Sequence, residues 1–441
     1  MLSASEARKA IDDGVLSSVD LVRSCLARID ELEPGIGAWA HLDPDKALEQ
    51  ATAADEFRRQ GFPTGELHGL PVGIKDIIDT ADFPTELGTV LHHGRQPDRD
   101  ATLVGLLKEA GAIILGKTVS TELAVYGPGK TRNPHNPQHT PGGSSSGSAA
   151  AVSAAMIPLA VGTQTNGSVI RPASYCGVYG FKPSFARISR HGILEQSPPL
   201  DTVGVFARDL DDLALLADVL MRFDGQDSSM APIAPPQISR TLATEVPVNQ
   251  HFAFMRTPVW DQVEEITKDG LRELIDATNE AQPGTIDIVD MPSFFDDLHE
   301  DHRKVMEGDL ARSFADEYDR GKDQLSTVLR EMIERGQQVS DEEYNQSVER
   351  MATYNDFLDQ VCEDYDAIVT PSTTGPAPTG IDATGSPVMN TIWTFCGVPA
   401  LNLPLLQSAS DMPIGVQLVG ARNRDARLFH SASWLLDILS E

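Results

Sequence analysis

Four cysteines in 441 residues are too few and too scattered for a disulfide framework. Cys25, Cys176, Cys362 and Cys396 show no C-x-x-C spacing and no histidine at zinc-ligand distance, so they read as buried, reduced thiols of a cytoplasmic protein. Long apolar runs are also missing. The longest, Ala149 to Gly162, is interrupted by Ser153 and Pro158 and is too short to span a membrane. Basic charge is scarce: Lys and Arg number 35 against 65 Asp and Glu, a net charge of −30. Such a surface repels nucleic acid and anionic lipid, whose binding depends on basic residues. The opening Met-Leu-Ser-Ala-Ser-Glu has neither the basic nor the apolar part of a secretory signal. Metal-ligand patterns are absent as well. Pro137 separates His135 from His139, and His299-Glu300-Asp301-His302 lacks H-E-x-x-H spacing, which leaves a solvated helix face. The expectation is a cytoplasmic protein with no nucleic-acid partner, no membrane partner, no metal and no cofactor.

What is present is the pattern of an α/β protein. Residues 1–60 look helical, with capping-box-like starts at Ser3-x-x-Glu6 and Ser17-x-x-Asp20. From Leu70 the chain turns to short apolar runs ended by Gly, Lys or Asp, alternating with helical stretches such as Ala101 to Ala110 and Leu210 to Leu220. Residues 226–250 are rich in Pro, Ser and Thr and read as a surface connection. A charged helical stretch follows from about Asp297 to Asp364, after which strand-like runs resume at Tyr365, Val398 and Pro413. The sheet is thus begun before the helical stretch and completed after it. We read residues 1–441 as one domain, with residues 226–364 a linker and helical insertion within it.

The chemistry concentrates between Pro141 and Arg171. Two Ser/Gly clusters flank a small-residue segment that has to be buried. The run Met156 to Val161 reads as a strand ending in Gly162-Thr-Gln-Thr-Asn-Gly-Ser168, whose consecutive N–H groups can face one point, with Ser168 at the edge. A plain strand-to-helix turn is the better explanation of such a motif when it stands alone. The first cluster, Gly143-Ser144-Ser145-Ser146-Gly147, formally satisfies G-x-S-x-G. The prolines upstream exclude the strand that motif requires, and the only late histidine, His430, lies in a terminal helix pattern. A serine nucleophile needs a base. Lys75 closes the buried run Leu70 to Ile74, where lost hydration lowers a lysine's pKa, although a strand-end lysine reaching solvent fits the same residues.

Taken together these segments resemble the amidase signature family of serine hydrolases. The resemblance rests on Pro71-Val-Gly-Ile-Lys-Asp, Pro141-Gly-Gly-Ser-Ser-Ser-Gly-Ser, Gly162 to Ser168 and Cys176-Gly-Val-Tyr-Gly-Phe-Lys-Pro. It extends through Leu200-Asp-Thr-Val-Gly, Tyr365-Asp-Ala-Ile-Val-Thr-Pro, Gly397-Val-Pro-Ala and Pro413-Ile-Gly-Val-Gln-Leu-Val-Gly. Residues 225–295 carry none of it. The resemblance implies a three-layer α/β/α domain with a large mixed sheet covered by helices. It also implies an amidase acting through an acyl-enzyme, with Ser168 as nucleophile, Ser144 as a bridging serine after a cis peptide bond, and Lys75 as base. The backbone N–H groups of Thr165, Asn166, Gly167 and Ser168 would form the oxyanion hole, with Ser145 and Thr163 hydrogen-bonding around the triad.

The family's commonest pattern has Gly at 166, Asp at 164 and Gly at 146, where this chain has Asn166, Gln164 and Ser146. Ser-Val-Ile-Arg-Pro resembles malonamidase-like members, in which the arginine matching Arg171 binds a substrate carboxylate; a structural ion pair is the competing role. Tyr126, His302, Met306, Asn390 and Trp393 lie in segments that approach the site in relatives, and each serves equally well as packing. The expected partners are a small amide and water, and a homodimer is left open. Other readings are the A-type subunit of a tRNA-dependent amidotransferase, a broad aryl or aliphatic amidase-esterase, and a scaffold with a dead site.

Overall fold

The computed structural model describes residues 2–244 and 249–440; residues 245–248 of the expected connection lie outside the described residues. One eleven-stranded mixed sheet organises the chain. Its strands are β1 (Trp39–Leu42), β2 (Pro71–Lys75), β3 (Ile113–Thr118), β4 (Leu159–Gln164), β5 (Tyr179–Lys182), β6 (Thr202–Ala207), β7 (Phe252–Arg256), β8 (Ile286–Asp290), β9 (Ala367–Pro371), β10 (Ala400–Gln407) and β11 (Pro413–Val419). Their spatial order is β1-β3-β2-β4-β6-β5-β10-β11-β9-β7-β8.

Successive strand residues face opposite sides of a sheet, so a strand buried at every position is covered on both faces. β2, β3, β4, β6, β9 and β11 are buried throughout, which makes the domain three layers with the sheet in the middle. The helix Ser146–Ser153 is buried at all but its last residue, as its Ala-rich composition allows. Its first turn presses so closely on the sheet edge that a Cβ at Gly147 would overlap the backbone at Ala38 and Val119.

The N-terminal segment follows its sequence signals. Ser3 and Glu6 cap each other reciprocally at the start of the helix Ala4–Asp12, and Ser17 accepts from the Asp20 N–H. The segment is not wholly helical, because Trp39–Leu42 forms the antiparallel edge strand beside β3. A larger correction concerns residues 226–364. Within them β7 and β8, joined by the helix Glu265–Ala281, pair in parallel, and β7 joins β9, so this stretch extends the sheet before the charged helices from Leu298 on. β8 is an acidic edge strand, exposed at Asp287, Ile288 and Asp290, and so carries little apolar pattern. The helices Leu298–Ser313, Ala315–Gly321, Thr327–Gly336 and Asp341–Asp364 then form the charged insertion. Among the described residues no helix is long and apolar enough to cross a membrane. The cysteines are free; Cys25, Cys176 and Cys396 are buried, whereas Cys362 is only partly so.

Candidate active site

The parallel pairing of β2 with β4 sets Ile74 opposite Val161 and brings the ends of both strands to one edge. Lys75 therefore emerges beside Thr163. β4 starts at Leu159 rather than at Met156, because Pro158 delays it, and runs on to Gln164, so the loop proper is 165–169. Lys75 Nζ lies 2.7 Å from Ser144 Oγ and 2.8 Å from Thr163 Oγ1. The Gly143–Ser144 peptide is cis. Lys75 is fully buried and forms no ion pair among the described residues. Burial drives its amine well below the ordinary 10.5; the charge of Asp201 opposes this and that of Arg171 adds to it.

Ser145 grips β4 from the neighbouring cluster. Its hydroxyl donates to the Thr163 carbonyl at 3.1 Å and accepts the Thr163 N–H at 3.2 Å. Ser168 stands within the loop, 6% exposed, and its hydroxyl makes no hydrogen bond among the described residues. The backbone N–H groups of Asn166, Gly167 and Ser168 likewise find no acceptor there. Buried N–H groups without acceptors are rare in folded proteins, and three in succession form a concavity for negative charge.

The loop is held through its other atoms. Thr165 Oγ1 lies 2.5 Å from Gln196 Oε1 and 2.6 Å from Asp201 Oδ1. Asp201 also accepts the N–H groups of Gln196 and Ser197, yet burial lifts its carboxyl to about 6. Asn166 donates to the Tyr126 hydroxyl at 3.0 Å and accepts from Thr391 at 2.8 Å. The Gln164 side chain accepts the Val169 and Ile170 N–H groups and donates to Thr394 at 2.9 Å.

Arg171 is fully buried on the helix Ile170–Cys176. It donates to the carbonyls of Gly385 and Gly143, each at 2.6 Å, and lies 5.8 Å from the Tyr126 ring centroid. No carboxylate pairs with it among the described residues, so the ion-pair alternative is not realised. Its Nε has no partner, and burial lowers its pKa below the ordinary guanidinium value.

Tyr126, Asn166, His302, Met306, Val388 and Thr391 line a cavity of about 190 Å³ beside the loop. The expected solvated face at His299–His302 is corrected here. Asp301 and His302 are buried because their helix packs on the loop and on the helix Asp341–Asp364, with Asp301 accepting from Ser347 and Tyr354. His302 Nε2 lies 3.1 Å from the Thr165 carbonyl, and burial holds its imidazole down at about 4. Asn390 sits behind Gly167, where a Cβ would come within 2.5 Å of its Oδ1. Trp393 is buried in the core and does not line this cavity. A second cavity, of about 280 Å³, is bounded by Thr163, Thr165, Gln196, Asp201, Arg190 and Asp227. Asp201, Gln196, Thr391 and Thr394 went unremarked as site residues in the sequence. Only Asp201 carried a signal, in Leu200-Asp-Thr-Val-Gly. Among the described residues no three His, Cys, Asp or Glu side chains cluster as a metal site.

The amidase family profile matches residues 20–429. Over 251 residues the chain is 41% identical to the A-type subunit of glutamyl-tRNA(Gln) amidotransferase from Chloroflexus aurantiacus, covering 56% of this chain and about half, 52%, of that relative's length. Putative amidase AmiD of Mycobacterium bovis is 32% identical across 95% of this chain and 90% of its own. Among solved structures, the peptide amidase of Stenotrophomonas maltophilia superposes with a TM-score of 0.81 at 26% identity, covering 99% of this chain and 96% of that one. With the family match spanning most of the sheet and the whole loop, the chain belongs to the amidase signature family of serine hydrolases, a family of amide-hydrolysing enzymes.

Proposed function

We propose that this protein hydrolyses the C–N bond of a small amide through an acyl-enzyme on Ser168. One observation carries the reading: a fully buried amine, Lys75, sits 2.7 Å from the Ser144 hydroxyl, beside a loop of unpaired N–H groups that ends at Ser168. A lysine whose neutral form is favoured has a lone pair for the Ser144 proton. Ser144 in turn takes the Ser168 proton as Ser168 Oγ attacks the amide carbon. The relay closes when the unbonded Ser168 hydroxyl rotates onto Ser144, a contact that tightens once substrate is bound. The oxyanion forms against the N–H groups of Thr165, Asn166, Gly167 and Ser168. Returning the proton through Ser144 expels the amine, and water repeats the sequence on the acyl-enzyme. Ser145 and Thr163 hold β4 and Lys75 in register.

The acyl portion carries a carboxylate in this reading. Arg171 is a buried cation without an anion, and two of its five N–H groups reach carbonyls. A carboxylate reaches the fully buried Arg171 only when Tyr126 or the segment at Gly385 yields. The test is a panel of carboxylated, neutral aliphatic and aryl amides. Ser168→Ala abolishes all turnover if the mechanism holds; activity surviving in that variant overturns it. Arg171 also holds the Gly143 carbonyl, so Arg171→Met slows every substrate, and the diagnostic quantity is the ratio of carboxylated to neutral kcat/KM. An unchanged ratio removes the carboxylate from the proposal. The likeness to the tRNA-dependent amidotransferase of Chloroflexus supports a second reading, in which the chain works with other proteins in an assembly; stoichiometric co-purification of such partners favours it.

A further inference from the structure

We infer that Gln164, Thr394 and His302 are positioning residues that aim the oxyanion N–H groups from behind the loop. The inference rests on the acyl-enzyme reading above.

The geometry is that of two peptide planes. In a trans peptide the carbonyl and the following N–H point in opposite directions. Among the described residues the only cis peptide is Gly143–Ser144, so the loop peptides are trans. The Thr165 carbonyl is bonded by His302 Nε2 at 3.1 Å, and the Asn166 carbonyl by the Thr394 hydroxyl at 2.5 Å. His302 therefore turns the Asn166 N–H away from the helical insertion, and Thr394 turns the Gly167 N–H away from the helix Val388–Phe395. Both N–H groups are left unpaired.

Donor and acceptor roles then fix the direction of the Thr394 hydroxyl. Gln164 Oε1 is occupied by the N–H groups of Val169 and Ile170, at 2.8 and 3.0 Å. The amide nitrogen of Gln164 is left to donate to Thr394 Oγ1 at 2.9 Å. A hydroxyl that accepts from Gln164 keeps its own proton for the Asn166 carbonyl. A carboxylate at position 164 has no hydrogen to give, and would draw the Thr394 proton onto itself and off the loop. Gln164 and Thr394 are thus one unit. Thr391 and Tyr126 pin the Asn166 side chain in the same place.

The experiment measures kcat and KM of the full chain for p-nitrophenyl acetate hydrolysis, with thermal unfolding recorded alongside. Thr394→Val is expected to lower kcat by about tenfold to a hundredfold, short of the loss for deleting a whole oxyanion donor, with KM unchanged. Thr394→Ser restores the rate. Gln164→Glu, nearly isosteric, reproduces the Thr394→Val loss, and the double variant loses no more than either alone, because the two act in series. His302→Gln, which keeps a donor, retains more kcat than His302→Leu. Wild-type kcat in Thr394→Val, or losses that multiply in the double variant, overturns the inference. Ser168→Ala separates the two levels: residual turnover there refutes the acyl-enzyme itself, whereas a dead Ser168→Ala beside a fully active Thr394→Val refutes only the aiming.

Discussion

Lys182 should make this protein less stable at neutral pH than in alkali, by an amount that one substitution isolates. It ends β5, fully buried, and its ammonium donates to the carbonyls of Val398 at 2.5 Å and Pro183 at 3.1 Å. Burial pushes its pKa from 10.5 down to about 7, against the charge of Asp425. A lysine whose folded value is depressed contributes fully only above its unfolded pKa. As pH falls, the unfolded chain takes up a proton that the folded chain refuses, and stability drops until about pH 7, where the folded form is protonated too. Each pH unit in that window is worth about 1.4 kcal/mol, so the interval from pH 9 to pH 7 is worth about 2 to 3 kcal/mol. Urea unfolding followed by tryptophan fluorescence at pH 7, 8 and 9 measures it. Lys182→Met leaves two carbonyls unpaired, which costs the same at each pH and cancels from the slope. Wild type should therefore gain about 2 to 3 kcal/mol more than Lys182→Met between pH 7 and pH 9. Parallel curves for the two proteins would refute the reasoning.

Asp201→Asn removes a negative charge that favours protonated Lys75, so the acid limb of the kcat/KM profile should move to lower pH; an unmoved limb separates Asp201 from the base. Gly336→Ala places a Cβ onto the Glu307 carbonyl where two insertion helices touch, and should cost about 1 to 3 kcal/mol in urea unfolding. Gly162→Ala sets a Cβ 2.5 Å from Ser145 Oγ, so kcat should fall as Ser145 is displaced from Thr163, while Gly105→Ala, which meets nothing inside the helix Thr102–Glu109, should leave kcat unchanged and gain about 0.5 to 1 kcal/mol in urea unfolding.

The parts of this fold that were readable in sequence are those where local chemistry and burial agree. Leu70 to Ile74 is continuous and apolar because β2 is covered on both faces, and Ser3 with Glu6 marks a helix start that forms as written. β7 and β8 were not readable, since β8 is an edge strand whose exposed Asp287 and Asp290 interrupt any apolar period. The same division runs through the site. Lys75, Ser144 and Ser168 stand in compact motifs, so a resemblance suffices to propose them. Thr394 lies 230 residues from Gln164 and stands in a hydrophobic helix stretch where one threonine looks like any other. His302 fits two readings in sequence, a solvated helix face for want of H-E-x-x-H spacing and a segment that approaches the site, and the helix turns it inward to Thr165. Yet position 164 already held a clue. A glutamine where the family commonly has an aspartate adds a hydrogen-bond donor to a buried loop, and a buried donor requires an acceptor. That acceptor is Thr394, so Gln164 and Thr394 hold the loop as a donor–acceptor pair.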